Sequence, residues 1–90
     1  MYRVFYITPV RKDLKALSEK VRELVDNYFS VLAENPFVGK FLAGEFKRFL
    51  SYSFIYSGTE YRIIYQILKK KLVILVIMVG SRENIYKRLR

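Results

Sequence analysis

The chain has 90 residues, 52% of them hydrophobic, which suits one domain with one modest core that folds alone. Seventeen Lys and Arg against eight Asp and Glu give a net charge of +9, which favours a polyanionic partner, either nucleic acid or an acidic protein segment. The absence of Cys and His excludes disulfide frameworks, thiolate metal sites and imidazole catalysis.

The N-terminal third predicts a strand followed by two helices. Tyr2–Thr8 is aromatic and β-branched, as strands are. A first helix is predicted over Pro9–Leu17, because Thr8 can cap it and Pro is tolerated at its first position. A second helix is predicted over Ser18–Glu34 and ends before Asn35-Pro36, since a residue preceding Pro avoids the α region. Its apolar stripe recurs at helical spacing through Val21, Leu24, Val25, Tyr28 and Leu32.

The middle of the chain reads as a loop, a strand and a turn. Residues 36–46 contain two Gly and one Pro and predict a connecting loop. Four apolar side chains are expected to hold this loop against the core: Phe37, Val38, Phe41 and Leu42. Residues 47–56 predict a strand, and residues 57–60 a turn.

The C-terminal third predicts an antiparallel hairpin. Tyr61–Leu68 and Leu72–Val79 are rich in Ile, Val, Leu and Tyr, with Lys69–Lys71 as the connection. Leu72–Val79 is apolar at both its odd and its even positions, which is typical of a central strand whose two faces are both buried. The segment is also far shorter than the roughly 20 residues that cross a bilayer. With charges inside a strand-like N-terminus, this indicates a cytoplasmic protein without membrane contact. Arg82–Arg90 allows one or two helical turns.

These elements predict an α+β fold of order β-α-α-β-β-β with a short helical end, in a single domain covering residues 1–90. The sheet is expected to be small and antiparallel, with the helix pair packed on one face. Along the first hairpin strand, Arg62 and Gln66 should lie on the opposite, open face. The helix-facing parity holds Tyr61, Ile63, Tyr65 and Ile67.

Most of the net positive charge lies in the half of the chain that contains the hairpin. Residues 1–39 carry six basic and five acidic groups, whereas residues 40–90 carry eleven basic and three acidic groups. Arg62, Arg82 and Tyr86 therefore form a candidate phosphate cradle, because an arginine offers a fixed fork of donors to phosphate oxygens. Further RNA or phosphate contacts are expected from Lys47, Arg48, Lys69, Lys70, Lys71 and Arg88. A strand arginine can equally be solvated or ion-paired, a lysine turn can serve solubility, and an acidic protein fits this charge as well.

The element order, the strand Tyr61-Arg62-Ile63-Ile64-Tyr65 and the exit from Gly80 to Tyr86 (GSRENIY) together resemble the RelE/ParE toxin superfamily over essentially the whole chain. The resemblance implies a RelE-like fold. For the RelE branch it implies a ribonuclease that enters the ribosomal A site and cuts mRNA there. The substrate's own 2′-hydroxyl is the nucleophile, so no metal or other cofactor is needed. It also implies a cognate antitoxin as partner, beside ribosome and mRNA.

The same resemblance implies roles for three residues. Arg62 would stabilise charge on the scissile phosphate, and Arg82 would bind phosphate or the developing charge on the leaving group. Tyr86 would stack on a base or help to transfer a proton. Residues 51–56 (SYSFIY) depart from the RelE pattern, since they contain no Lys, Arg, His or Glu. A ParE-type inhibitor of DNA gyrase, or a catalytically weakened module that binds antitoxin or RNA, therefore remains an alternative.

Overall fold

Three helices pack with a five-stranded sheet in the computed structural model, which describes residues 1–89. The α+β class and the element order agree with the sequence prediction, and the predicted helical end is a full helix up to Leu89, whereas Arg90 lies outside the described residues. No helix within residues 1–89 is long and apolar enough to cross a membrane. The elements are β1 Arg3–Tyr6, α1 Pro9–Ala16, α2 Glu19–Glu34, β2 Lys40–Phe41, β3 Phe49–Tyr56, β4 Thr59–Leu68, β5 Val73–Ser81 and α3 Arg82–Leu89.

The sheet has the order β1-β5-β4-β3-β2 and is mixed. Strands β3, β4 and β5 form the predicted antiparallel meander, and β5 is an interior strand as expected. However, β1 runs parallel to β5, from the pair Arg3↔Val73 to the pair Tyr6↔Val76. The sheet is therefore not antiparallel throughout. The two-helix connection carries the chain from β1 to β2 at the opposite edge, and β5 later returns beside β1 in the same direction.

The segment before β3 differs most from the prediction. It contains a two-residue strand, β2, at the edge of the sheet, where only a loop was expected. Strand β3 begins at Phe49, so residues 47 and 48 precede it. The expectation that Phe37, Val38 and Phe41 pack against the core is wrong, since all three are exposed. Phe37 and Val38 lie in a single helical turn, Pro36–Val38, before β2, and Phe41 lies on the edge strand itself.

Helix boundaries follow local chemistry, with one exception. The Ser18 hydroxyl accepts a hydrogen bond from the Val21 amide at 3.3 Å, which is the predicted N-cap of α2. Helix α2 ends at Glu34, before Asn35-Pro36. Thr8 does not cap α1 with its side chain, because its backbone is already helical (φ −51°, ψ −44°). Pro9 at the first helical position therefore marks the start of α1 without help from that hydroxyl.

The core lies between the helix pair and one face of the sheet. The apolar stripe of α2 is buried there, and Tyr28 packs its ring 4.7 Å from that of Phe54 on β3. Ile63 and Tyr65 on β4 are fully buried in the same cluster, and Tyr61 and Ile67 pack against it. The predicted parity of β4 is therefore confirmed, and Arg62 lies on the other face.

The hydroxyl of Tyr65 ties the core to the segment before β2. It donates to the Pro36 carbonyl at 2.8 Å and accepts from the Gly39 amide at 3.1 Å. A methyl group at Gly39 would collide with this hydroxyl. We expect Tyr65→Phe to lower the free energy of unfolding by about 1–3 kcal/mol, because it leaves a carbonyl and an amide without their partner. Urea unfolding measures the loss, with Tyr6→Phe as the control, since Tyr6 is exposed.

The same hydroxyl gives the stability a pH dependence. Burial raises the pKa of the Tyr65 phenol, although the hydrogen bond from Gly39 acts in the opposite direction. The folded state therefore favours the neutral phenol. Its contribution is present below the ordinary pKa of 10.0 and is lost as the pH rises through the raised pKa. Tyr65→Phe should flatten this alkaline fall, and an unchanged profile together with unchanged stability would contradict the role of the hydroxyl.

Candidate phosphate-binding site

The site lies where β4 begins, β5 ends and α3 starts. Arg62 pairs with Ser53 on β3 and with Gly80 on β5, on the sheet face turned away from α1 and α2. At the last residue of β5, the Ser81 hydroxyl accepts from the Asn84 amide at 3.3 Å and so satisfies a free donor of the first turn of α3. Helix α3 thus begins directly beside the strand pair that carries Arg62.

Part of the face predicted to be open is covered by α3. Gly80 shares its face with Arg62, and a Cβ atom on Gly80 would lie 3.8 Å from the Cδ1 atom of Ile85. Ile85 and Ile64 are both buried, yet neither belongs to the main core. Ile85 therefore packs α3 against the sheet at Gly80, next to Arg62.

Arg62, Arg82 and Tyr86 come together at this point. The Cζ atoms of Arg62 and Arg82 lie 5.5 Å and 4.6 Å from the centre of the Tyr86 ring. The Nη2 atom of Arg82 also donates to the Tyr86 hydroxyl at 3.4 Å. Arg82 and Tyr86 meet because residues four apart share a helix face. The three candidate residues thus form one group, and the Tyr86 ring remains 48% exposed to solvent.

The charges of this group are only partly compensated. Two guanidinium groups against one ring repel each other, and the one ion pair within residues 1–89 that engages them joins Arg62 Nε to Glu60 Oε2 at 2.9 Å. Within residues 1–89 no hydrogen bond engages the Nη atoms of Arg62 or the Nη1 atom of Arg82, and these donors can bind a phosphate. The sequence prediction missed Glu60, although its spacing of two from Arg62 places both side chains on the same face.

The predicted lysine contacts lie at the other end of the sheet. Leu68 lies six positions beyond Arg62 on β4, a rise of roughly 20 Å, and Lys69–Lys71 form a single turn beyond it. Lys47 and Arg48 precede the start of β3, at that same end. The structure therefore does not bring these residues to Arg62, and any RNA contact they make would be to a different phosphate.

Arg88, another predicted RNA contact, is engaged within the fold. Its Nη1 atom lies 2.9 Å from Oδ1 of Asp13 on α1, while Oδ2 of Asp13 accepts from the Val79 amide at 3.0 Å. Asp13 therefore links α1, β5 and α3 at the end of the sheet that carries the candidate site. The Asp13 side chain is 12% exposed and that of Arg88 38%, so the pair is partly shielded from water. The RNA-binding role of Arg88 stays a prediction.

Carboxylates do not cluster in the fold. Within residues 1–89, no group of three Asp or Glu side chains is placed to hold a metal ion. The chemistry that the described residues offer at this site is two fixed positive charges, an exposed aromatic ring and a phenolic hydroxyl. Such a set can bind a phosphate and stabilise negative charge that develops on it.

Comparison with known proteins places this arrangement in a family. The family model described as the ParE-like toxin of type II bacterial toxin–antitoxin systems matches residues 4–90. A chain of the RelBE2 toxin–antitoxin complex from Mycobacterium tuberculosis is 30% identical with a TM-score of 0.77, covering 90% of this chain and 98% of that chain. A chain of the intact E. coli RelBE complex is 26% identical with a TM-score of 0.74, covering 89% and 95%.

The isolated RelE toxin of E. coli shares the fold, with 22% identity, a TM-score of 0.72 and full coverage of both chains. No curated protein sequence is significantly similar to the chain. The resemblance predicted from the strand and exit motifs is thereby confirmed. The chain belongs to the RelE/ParE family of toxins of type II bacterial toxin–antitoxin systems.

Proposed function

We propose that the chain is a ribosome-dependent mRNA endoribonuclease that a cognate antitoxin neutralises. The observation that supports this most directly is the group formed by Arg62, Arg82 and Tyr86 on the sheet face away from the main core. In the proposed reaction the 2′ oxygen of the mRNA attacks the adjacent phosphorus, and the bond from phosphorus to the 5′ oxygen breaks. The products are a 2′,3′-cyclic phosphate and a free 5′-hydroxyl.

Each member of the group has a role in this reaction. Arg62, whose Nε atom is held by Glu60, directs its remaining donors at the non-bridging oxygens of the phosphate. Arg82 stabilises charge on the departing 5′ oxygen. Tyr86 stacks on a base or gives a proton to that oxygen, while the proton of the 2′-hydroxyl passes to water, from which the phenol regains its own.

The strand beside the group limits the proton transfer. β3 presents Ser53 opposite Arg62, and no basic residue lies anywhere on β3. Tyr86, which packs on both arginines and accepts a hydrogen bond from Arg82, carries the hydroxyl that we propose as the proton donor. We expect cleavage that depends on positioning and charge more than on acid–base catalysis.

Partners follow from charge and from the relatives. The solved RelBE and RelBE2 structures are toxin–antitoxin complexes, and we propose an antitoxin for this chain as well. The net charge of +8 over residues 40–90 suits contact with ribosomal RNA, to which Lys69–Lys71 would contribute. The proposed site of action is therefore the ribosomal A site in the cytoplasm.

Induced expression in bacteria tests the proposal. We expect growth arrest with fragmentation of translated mRNA and intact DNA, and rescue when the neighbouring antitoxin frame is co-expressed. DNA damage with intact mRNA would instead indicate a gyrase inhibitor of the ParE type. Normal growth with intact mRNA would indicate a binding module without nuclease activity. Each of these two results, DNA damage with intact mRNA or normal growth with intact mRNA, would contradict the nuclease.

A further inference from the structure

Glu60 and Arg62 lie next to each other on the open face of β4. Their spacing of two places both side chains on the face turned away from α1 and α2. Oε2 of Glu60 accepts from Nε of Arg62 at 2.9 Å, and within residues 1–89 no hydrogen bond engages Oε1 of Glu60. The Glu60 side chain is 33% exposed, so a ligand can reach the free oxygen. One oxygen of this carboxylate therefore orients Arg62, while the other is able to accept a proton.

Both residues line an open groove of about 720 Å³ beside β3. Lys40 and Ser53 line it from the same face of the sheet, since Lys40 pairs with Ser51 and Ser53 pairs with Arg62. Ser53 is small and exposed, so the neighbouring strand does not fill the space beside Arg62. An RNA phosphate bound to the Nη atoms of Arg62 would therefore lie at the groove, next to Glu60.

The other groups at this end of the sheet are less suited to accept a proton. Both oxygens of the Asp13 carboxylate are occupied, by Arg88 at 2.9 Å and by the Val79 amide at 3.0 Å. Lys40 carries an ammonium group, which has donors but no acceptor. The chain contains no histidine, and Glu60 is the one acid among the described residues that line the groove. Glu60 is therefore the carboxylate best placed to take a proton beside Arg62.

We propose that Glu60 is the general base of the cleavage reaction. The inference rests on the proposed function and adds the group through which the proton of the 2′-hydroxyl reaches water. The O–H bond of that hydroxyl breaks, its proton passes to Oε1 of Glu60, and the electron pair of the oxygen forms the bond to phosphorus. The bond from phosphorus to the 5′ oxygen breaks, and the 5′ oxygen takes a proton from Tyr86. Glu60 then gives its proton to water, from which Tyr86 regains its own.

The positions of Glu60 and Tyr86 around Arg62 suit separate roles as base and acid. Glu60 approaches the guanidinium along β4, whereas Tyr86 approaches it from α3, which packs at Gly80 on β5. The attacking and leaving oxygens of an in-line displacement lie on different sides of the phosphorus, so the base and the acid must reach the phosphate from different directions. A phosphate held by Arg62 has a proton acceptor and a proton donor placed in this way.

The Glu60→Gln variant separates a base from a group that only positions Arg62. Glutamine keeps the size of the side chain and an oxygen that accepts from Nε of Arg62, but its amide takes up no proton near neutral pH. We expect Glu60→Gln to lower the single-turnover cleavage rate on programmed ribosomes about 10²-fold, at the lower end of the range for general-base catalysis. Glu60→Ala should lose at least as much. Glutamine would restore a positioning role, so a Glu60→Gln variant with a near wild-type rate overturns the inference.

The pH dependence of the cleavage rate is a second readout. The charged and titratable groups around Glu60 come from its own strand, from β2 and from α3, whereas β3 presents Ser53 and Ile55 on this face: they are Arg62, Lys40, Arg82 and Tyr86. With an ionised carboxylate as the base, the wild-type rate should change little between about pH 6.5 and 8. Without the carboxylate, hydroxide must remove the proton, and the Glu60→Gln rate should rise up to about tenfold per pH unit. Glu60→Asp should keep the flat profile at a lower rate, and equally steep profiles for wild type and Glu60→Gln would contradict the base.

Binding and stability are measured on the same variants. Glu60→Gln should bind a 2′-O-methyl RNA, whose blocked 2′ oxygens prevent self-attack, at least as tightly as the wild type, because a negative charge beside the phosphate is removed. It should also unfold at a similar denaturant concentration, since the ion pair is partly exposed. Weaker binding that accounts for the whole loss of rate would overturn the catalytic role.

Glu83→Gln is the matched control. It makes the same change of charge at an exposed acid of α3, which pairs with Lys87 at 3.5 Å, and it should cleave like the wild type.

The outcomes distinguish this inference from the proposed nuclease. If the wild-type and Glu60→Gln proteins cleave ribosome-bound mRNA at equal rates, Glu60 is not the base and the nuclease proposal stands. If the wild-type protein leaves that mRNA intact, both proposals fail. Equal loss of rate in the Glu60→Gln and Glu60→Ala variants, with RNA binding retained, supports Glu60 as the base.

Discussion

Replacing Arg62 by Ala is expected to lower the rate of mRNA cleavage about 10²–10³-fold, the loss typical when one preorganised donor to a developing oxyanion is removed. Arg62 is well placed for such an effect, because Glu60 and the Tyr86 ring hold its guanidinium before any substrate arrives. Arg62→Lys should recover only part of the rate, since lysine keeps the charge but not the planar fork. Single-turnover cleavage on programmed ribosomes measures each rate.

Controls separate catalysis from folding and from general RNA attraction. The ion pair of Arg62 is partly exposed, so its loss should change the free energy of unfolding by no more than about 1 kcal/mol. Arg82→Ala should lower cleavage on a similar scale, whereas Lys70→Ala, at the other end of the sheet, should act mainly through salt-dependent binding. If the Arg62→Ala and Lys70→Ala variants cleaved at equal rates, the proposed role of Arg62 in stabilising charge on the phosphate would be wrong.

The second large effect is expected at Asp13, which forms no ion pair with Arg62 or Arg82 within residues 1–89. Asp13→Ala removes the acceptor of the Val79 amide and the partner of Arg88 together. We expect the free energy of unfolding to fall by about 2–3 kcal/mol, because a buried amide loses a charge-assisted bond. We also expect slower cleavage, since the contact anchors α3, the helix that carries Arg82 and Tyr86.

Asp26→Ala provides the matched control, because Asp26 is an exposed acid on α2 with no ion pair in the described part of the chain. Arg88→Ala should cost less stability than Asp13→Ala, since the bond to Val79 survives. Chemical denaturation and cleavage rates on the same variants test both statements. If the Asp13 and Asp26 variants were equally stable and equally active, the proposed anchor of α3 would be wrong.

Periodicity carried most of the fold prediction. Helix spacing over residues 18–34 and alternation over residues 61–68 were enough to predict α2 and the inward face of β4. The parallel partner of β1 could not be predicted this way, because the choice of a strand neighbour across two helices leaves no local pattern. Strand β2 was missed since two residues show no periodicity at all.

The candidate site was predictable to a different extent. The strand and exit motifs together selected Arg62, Arg82 and Tyr86, and the fold brings these three into contact. The packing of α3 on this face could not be predicted, because α3 has a single buried side chain, Ile85.

The proposed nuclease is tested most directly by incubating the purified chain with ribosomes that carry a defined codon in the A site, and then mapping the RNA ends. We predict cleavage within that codon, fragments ending in 2′,3′-cyclic phosphate and 5′-hydroxyl, and little cleavage of the same mRNA without ribosomes. An mRNA that remains intact on ribosomes in the presence of excess wild-type protein would contradict the nuclease.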